Sequence, residues 1–214
     1  MFAVRAGDWI ERGQVAIELS YRRKAVAIVS FVSYLNACHL HPVAVMPSTF
    51  ESTAPTLPLA TQLGHQLAAR GWRATCAESC TGGGVAAAIT DVAGSSRWFE
   101  TGFVTYANIA KERLLGVKGE TLDVHGAVSE AVAREMAQGA LWEAGADIAV
   151  AISGIAGPGG GSVDKPVGTV WFAWVTATAM ETRCHHFAGD RQAVRQQAVV
   201  TALEGLIKLS RSTV

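Results

Sequence analysis

The sequence predicts a three-layer α/β/α sandwich: a single α/β domain over residues 57–210, preceded by an atypical N-terminal extension, residues 1–56. Three observations lead there. From Pro58 onward, short β-rich runs alternate with stretches whose apolar residues recur at helical spacing, the arrangement that buries one sheet between helices. Two of the β-rich runs, Ala146 to Ser153 and Val167 to Ala177, are apolar without alternation, as strands covered on both faces are. Finally, Arg73 to Gly84, followed at once by Val85-Ala86-Ala87-Ala88-Ile89, reads as a strand, a tight turn of small residues and a helix.

The elements follow in order. Leu59, Leu63, Leu67 and Ala68 fall at helical spacing, and Arg70-Gly71 ends that helix. A strand from Arg73 to Ala77 leads through the turn at Ser79 into a helix over about Gly83 to Thr90. Asp91 to Ser96 is a loop, with a short turn near Phe99. Thr101 to Ala107 alternates as a strand, with Phe103 and Thr105 on one side. Asn108 is expected to cap a helix from Ile109 to Leu115, stopped by Gly116. Ser129 caps the next, Glu130 to Ala144, with Val132, Met136, Ala140 and Leu141 on one face. The strand Ala146 to Ser153 opens into a glycine-rich loop, Gly154 to Gly161. Strands over Val167 to Ala177 and Thr182 to Ala188 come next, and Asp190 caps a last helix from Arg191 to about Leu209.

The first 45 or so residues differ in character. Arg22-Arg23-Lys24 precedes an apolar run, Ala25 to Leu35, too short to span a bilayer as a helix. It reads as an added strand or helix, a poor export signal with no clean small-x-small cleavage site, or translated upstream sequence with Met46 as the start; the third is favoured, and the polar, proline-bearing stretch Met46 to Pro55 fits a chain start or linker.

Composition narrows the function. Lys plus Arg and Asp plus Glu both number 18, so no broad polyanion-binding face is expected and nucleic acid is a poor partner. A small anion needs only a few local positive groups. Cys38, Cys76, Cys80 and Cys184 match neither zinc spacing nor a compact disulfide framework. They read as small buried thiols in a reducing cytoplasm. No carboxylate stands at ligand spacing from the histidine pairs, so no metal and no other cofactor is expected. Nor is membrane association. Alanine on several helix faces points to a homodimer.

Three regions could carry chemistry. Ser79, before Thr81-Gly82-Gly83 at a helix start, is either an ordinary N-cap or a nucleophile whose oxyanion would meet the N–H groups of Thr81, Gly82 and Gly83. A nucleophilic serine needs a base. Lys111 would lie third in its helix, where the positive helix end disfavours a cation and lowers its pKa. The bland reading is a solvated lysine. Tyr106, expected to end a strand, is either a buried tyrosine with one satisfied hydroxyl or a group that relays a proton or orients Lys111. Together Ser79, Tyr106 and Lys111 would make a Ser-Lys site. The second region, Ser153-Gly154-Ile155-Ala156-Gly157-Pro158, is a surface turn or an anion cradle at the carboxyl end of a strand. It lacks the residues of a Walker loop or a dinucleotide fingerprint. The third is Gly189-Asp190-Arg191, where a cation in a first helical turn fits an anion bound beside it, or a surface arginine paired with Asp190. Arg195, one turn on, would add to that patch.

Six blocks, in this order, resemble the CinA C-terminal domain family: Ala77 to Gly83, Gly102 to Tyr106 through Lys111, His125 to Ser129, Ser153 to Pro158, Lys165 to Val170 and Gly189 to Arg191. The likeness covers about Leu57 to Leu209 and is greatest to stand-alone members described as nicotinamide-nucleotide amidases. It implies metal-free hydrolysis of the carboxamide of nicotinamide mononucleotide (NMN) to nicotinate mononucleotide and ammonia, in pyridine-nucleotide salvage. It implies Ser79 as nucleophile, Lys111 as base and Tyr106 assisting. Thr81, Gly82, Gly83, Ser153, Gly154, Gly157 and Arg191 would contact the substrate. Ser153 stands where such proteins often carry threonine, which keeps a hydroxyl. The rival expectation is a non-catalytic nucleotide- or partner-binding module linked to competence or DNA damage.

Overall fold

A computed structural model of the chain describes residues 56–212. The expected extension up to residue 55, with the Ala25–Leu35 run, Cys38, His39, His41 and Met46, lies outside the described residues. The elements are α1 (Thr56–Arg70), β1 (Ala74–Glu78), α2 (Gly84–Thr90), a single 3-10 turn (Ser95–Arg97), β2 (Phe99–Val104), α3 (Asn108–Leu115), α4 (Gly119–His125), α5 (Glu130–Ala144), β3 (Ile148–Gly154), β4 (Thr169–Thr176), β5 (Met180–His186) and α6 (Arg191–Ser212).

The five strands form one mixed sheet in the order β2-β1-β3-β4-β5. β1 runs parallel to both β2 and β3, whereas β3–β4 and β4–β5 are antiparallel. Because β1, β3 and β4 are covered on both faces, their side chains divide between two cores. Ala74, Cys76, Ile148, Val150, Ile152, Phe172 and Trp174 pack with Leu63 and Leu67 of α1, Val85 and Ile89 of α2, and Leu203 and Leu206 of α6. Ala77, Ala149, Ala151, Ala173 and Val175 pack instead with Leu115, Leu122, Val132 and Met136, on the side of α3, α4 and α5. This is the three-layer α/β/α sandwich the sequence predicts, and helix and sheet periodicity account for both cores. Ala68, which falls at helical spacing with Leu63 and Leu67, is exposed.

Boundaries differ where neighbouring backbone decides them. β2 starts at Phe99 and stops at Val104, ahead of Ala107; its pairing with β1 ends at Glu78, whose carbonyl accepts from Thr105 N–H. β3 starts at Ile148, since Ala146 donates to the carbonyl of Leu141 and closes the end of α5. β5 starts early, at Met180, because Thr176 and Ala179 close a tight hairpin. The sequence reading missed α4. It has seven residues and buries Leu122 alone, so it carries no apolar periodicity to read.

Two devices hold the α3–α5 layer. Ser129 caps α5, accepting from the N–H of Val132 at 3.3 Å. At Gly139 of α5 a side chain would run into the Leu115 carbonyl, so the end of α3 approaches α5 closely enough that only glycine fits. That contact fixes the helix that carries Lys111.

Candidate active site

Strand alternation sets the first half of the site. Ala74 and Cys76 of β1 face the α1, α2 and α6 side, and Ala77 faces the other. Glu78 therefore turns toward α2, and Ser79, one residue beyond the strand, turns toward α3. The sheet ladder runs on past the strand end: Ser79 N–H donates to Ile152 O at 2.9 Å, and Thr105 N–H to Glu78 O at 2.8 Å. Thr105, Ser79 and Ser153 thus line up at the carboxyl edge of β2, β1 and β3, where open α/β sheets hold ligands.

Lys111 supplies the second half. It is 1% exposed, a lysine folded into the core rather than a solvated one. Its Nζ donates to Thr105 O at 2.8 Å and Tyr106 O at 3.3 Å, and lies 3.1 Å from Ser79 Oγ. Burial holds its pKa below the ordinary lysine value, opposed by the nearby Cys80 sulfur. The expected cause, the helix end, does not head the effect. Asn108 is the first residue of α3 rather than its cap. Ala107 holds the cap position with no side-chain hydrogen bond, which puts Lys111 fourth in the helix. Among the described residues no side-chain carboxylate is bonded to Nζ; two carbonyls and one hydroxyl accept from it, with the Cys80 sulfur nearby. Nζ thus meets three oxygens, donating to the two carbonyls and to the serine hydroxyl, and loss of its proton would turn a lone pair to that hydroxyl.

Tyr106 sits in the loop beyond β2 and is 61% exposed, so it is neither the end of a strand nor a buried phenol. Its carbonyl, not its hydroxyl, touches Lys111. The hydroxyl instead accepts from Arg191 at 3.0 Å. Arg191 also donates to Gly157 O at 2.9 Å, which ties the glycine-rich loop to the Tyr106 loop. Asp190 caps α6, accepting from Ala193 N–H at 2.9 Å, and forms no ion pair with Arg191. Arg195 does not join Arg191. It reaches the serine turn and donates to Thr81 O at 2.7 Å. Ser153, 1% exposed, donates to Ala127 O at 2.6 Å and so links the edge of β3 to the segment before α5. Gly154 lies against β4, where a side chain would meet the Thr169 carbonyl.

The serine turn departs from expectation in its donors. Gly82 and Gly83 take the left-handed conformation, φ 58° and 94°, that glycine tolerates. Their N–H groups are occupied: Gly82 donates to Ser79 O at 3.1 Å and Gly83 to Glu78 Oε2 at 2.9 Å. An oxyanion there would have to displace these bonds. Between Ser79 and Ala86, the N–H groups of Cys80 and Thr81 alone find no oxygen partner among the described residues; they lean on the Cys80 sulfur, a weak acceptor. Thr81 is fully buried and its hydroxyl has no partner.

Glu78 is the residue the sequence reading passed over. Its carboxylate, 0% exposed, accepts from Gly83, Val85 and Ala86 N–H at 2.9, 3.1 and 2.9 Å. The available signal was an acidic residue at a strand end with a helix start five residues on. Cys76 and Cys80 are free and buried, as expected, and burial pushes the Cys80 thiol up to about 11. Cys184 is free and half-buried. Among the described residues no group of His, Cys, Asp and Glu gathers where it could hold a metal ion, and no described helix is long and apolar enough to cross a membrane.

Comparison with known proteins places these features in a group. The family model described as "CinA C-terminal domain" matches residues 56–210. The protein named nicotinamide-nucleotide amidohydrolase PncC of Escherichia coli K12 is 62% identical over 151 residues, 70% of this chain and 92% of that one. The protein of the same name from Pseudomonas putida is 52% identical over 155 residues, 72% of this chain and 97% of that one. Among solved structures, the competence damage-inducible protein A from Klebsiella pneumoniae superposes with a TM-score of 0.72 at 48% identity, covering 74% of this chain and 99% of that one.

Proposed function

The chain belongs to the CinA C-terminal domain family, and from that membership we propose that it is a nicotinamide-nucleotide amidase, hydrolysing the carboxamide of NMN to nicotinate mononucleotide and ammonia. The observation that carries this reading is the 3.1 Å separation between Lys111 Nζ and Ser79 Oγ, with the lysine buried and its pKa lowered. Lysines are seldom buried, and one whose lowered pKa favours loss of its proton and whose amine lies against a serine hydroxyl has the geometry of a general base.

The reaction is acyl transfer. Ser79 Oγ attacks the carboxamide carbon as Lys111 takes its proton. The N–H groups of Cys80 and Thr81 receive the negative charge that develops on the amide oxygen. Lys111 returns the proton to the departing nitrogen, the carbon–nitrogen bond breaks, and ammonia leaves an acyl-Ser79 ester. Water then attacks that ester with Lys111 again as base, releasing nicotinate mononucleotide and restoring the serine. Thr105 and Tyr106 carbonyls steady the transient ammonium, since each already accepts from Nζ. The substrate phosphate goes to Arg191 and the Gly154–Gly161 loop, because the start of α2 is already filled by Glu78. Ser153 keeps the Ala127 segment against the carboxyl end of β3. The reaction belongs to pyridine-nucleotide salvage in the cytoplasm.

Ammonia release from NMN tests the proposal. Wild-type protein turns NMN over, and Ser79→Ala loses turnover by roughly a thousandfold or more while keeping NMN affinity. Wild-type protein that binds NMN and releases no ammonia is instead a nucleotide-binding module.

A further inference from the structure

We infer that Glu78 is a positioning residue for this hydrolysis: its buried carboxylate fills the start of α2 and leaves the Cys80 and Thr81 N–H groups, held only by the weak Cys80 sulfur, as the donors next to Ser79 in the chain that an oxyanion could take. The inference rests on the amidase reading above.

A carboxylate with no solvent contact is costly to bury unless hydrogen bonds and positive charge surround it. No ion pair to Glu78 exists among the described residues; its partners are three backbone N–H groups of one helix start and the Cys76 thiol at 3.5 Å. The cap itself, Gly83, has no side chain to offer. Glu78 does that work from five residues upstream, across the turn that holds the nucleophile. Gly82 N–H closes on Ser79 O and Gly84 N–H on Thr81 O, at 3.1 and 3.2 Å. Every donor from Gly82 to Ala86 is thereby taken.

Two consequences follow. The helix start cannot compete for the substrate's phosphate or for the oxyanion, because a carboxylate already occupies it. The turn is also clamped at two points after Ser79: Glu78 holds its far end to the strand, and Arg195 holds its middle through Thr81 O at 2.7 Å. A clamp of this kind acts on the transition state rather than on substrate affinity, since the donors it aligns meet charge only as the amide oxygen becomes negative.

The test compares Glu78→Gln and Glu78→Asp with wild type, using NMN turnover and amide hydrogen exchange at Gly83, Val85 and Ala86. The neutral glutamine keeps the shape but cannot accept all three N–H bonds. Removing an oxyanion donor outright costs about 10²–10³ in kcat, so displacing the turn is expected to cost roughly tenfold to a hundredfold. KM for NMN stays within about twofold of wild type, exchange at the three amides speeds up, and the pH midpoint of turnover does not move, because Glu78 has no bond to Lys111. An aldehyde analogue of NMN, which captures the serine as a hemiacetal, weakens by the same factor as kcat. Full kcat in Glu78→Gln with exposed amides overturns the inference, as does an equal loss in kcat/KM carried by KM alone. Should the glutamine variant fail to fold, Glu78→Asp decides: lowered kcat at preserved KM supports the role, and wild-type kcat overturns it. A wild type that releases no ammonia overturns the amidase reading, whatever Glu78 does.

Discussion

Lys111 Nζ stands 3.1 Å from Ser79 Oγ across 32 residues of chain, and α3 delivers it there with its side chain out of water. The strand β1 brings the serine, and the pairing of β1 with β2 brings the Thr105 and Tyr106 carbonyls that hold the amine.

Replacing that lysine by an apolar residue of similar length separates chemistry from stability. Lys111→Met is expected to lose NMN turnover by roughly a thousandfold or more. Its thermal stability is expected to equal or exceed that of wild type, since a buried amine carries a desolvation penalty that methionine does not. Ammonia release and a melting curve on the same sample check both halves.

The lowered pKa of Lys111 also fixes the sign of two pH effects. Turnover needs the neutral amine, so kcat/KM rises with pH through the folded-state pKa and levels off below the ordinary lysine value of 10.5. For stability, the unfolded chain binds more protons than the native one between those two values, so stability rises with pH across that window and is lowest beneath it. Lys111→Met removes both dependences. A pH–rate profile and urea unfolding at several pH values test them.

Arg191 is expected to read the phosphate. Arg191→Ala should raise KM for NMN roughly tenfold to a hundredfold, the worth of a charge-assisted hydrogen-bond pair. Turnover of nicotinamide riboside, which has no phosphate, should be weak in wild type and no weaker in the variant. Steady-state kinetics with both compounds show whether the guanidinium meets the phosphate or serves only to join Gly157 to Tyr106.

Gly139→Ala should act on the site from a distance. The added methyl meets the Leu115 carbonyl, so α3 must move away from α5. Overpacking of this kind costs about 1–3 kcal/mol. Urea unfolding should show that loss, and turnover should fall more than NMN affinity, because the base travels with α3.

Much of this protein was set by local sequence. Glycine after Leu115 and Ala144, serine before Glu130 and aspartate before Arg191 mark helix ends whose chemistry is complete within a few residues, and those ends stand where the sequence puts them. The strands over 148–154 and 169–176 were legible because two-sided burial leaves no polar alternation. Residue chemistry offered Ser79, Tyr106, Lys111, Ser153 and Arg191 as candidates, family resemblance implied their roles, and nothing in their spacing gave their distances. Tertiary structure alone decided which atom of Tyr106 meets the lysine and that burial lowers the amine's pKa. The reason is range: caps and periodicity are interactions within one turn or one strand, whereas these contacts join segments brought together only when β1 pairs with β2 and α3 docks on α5.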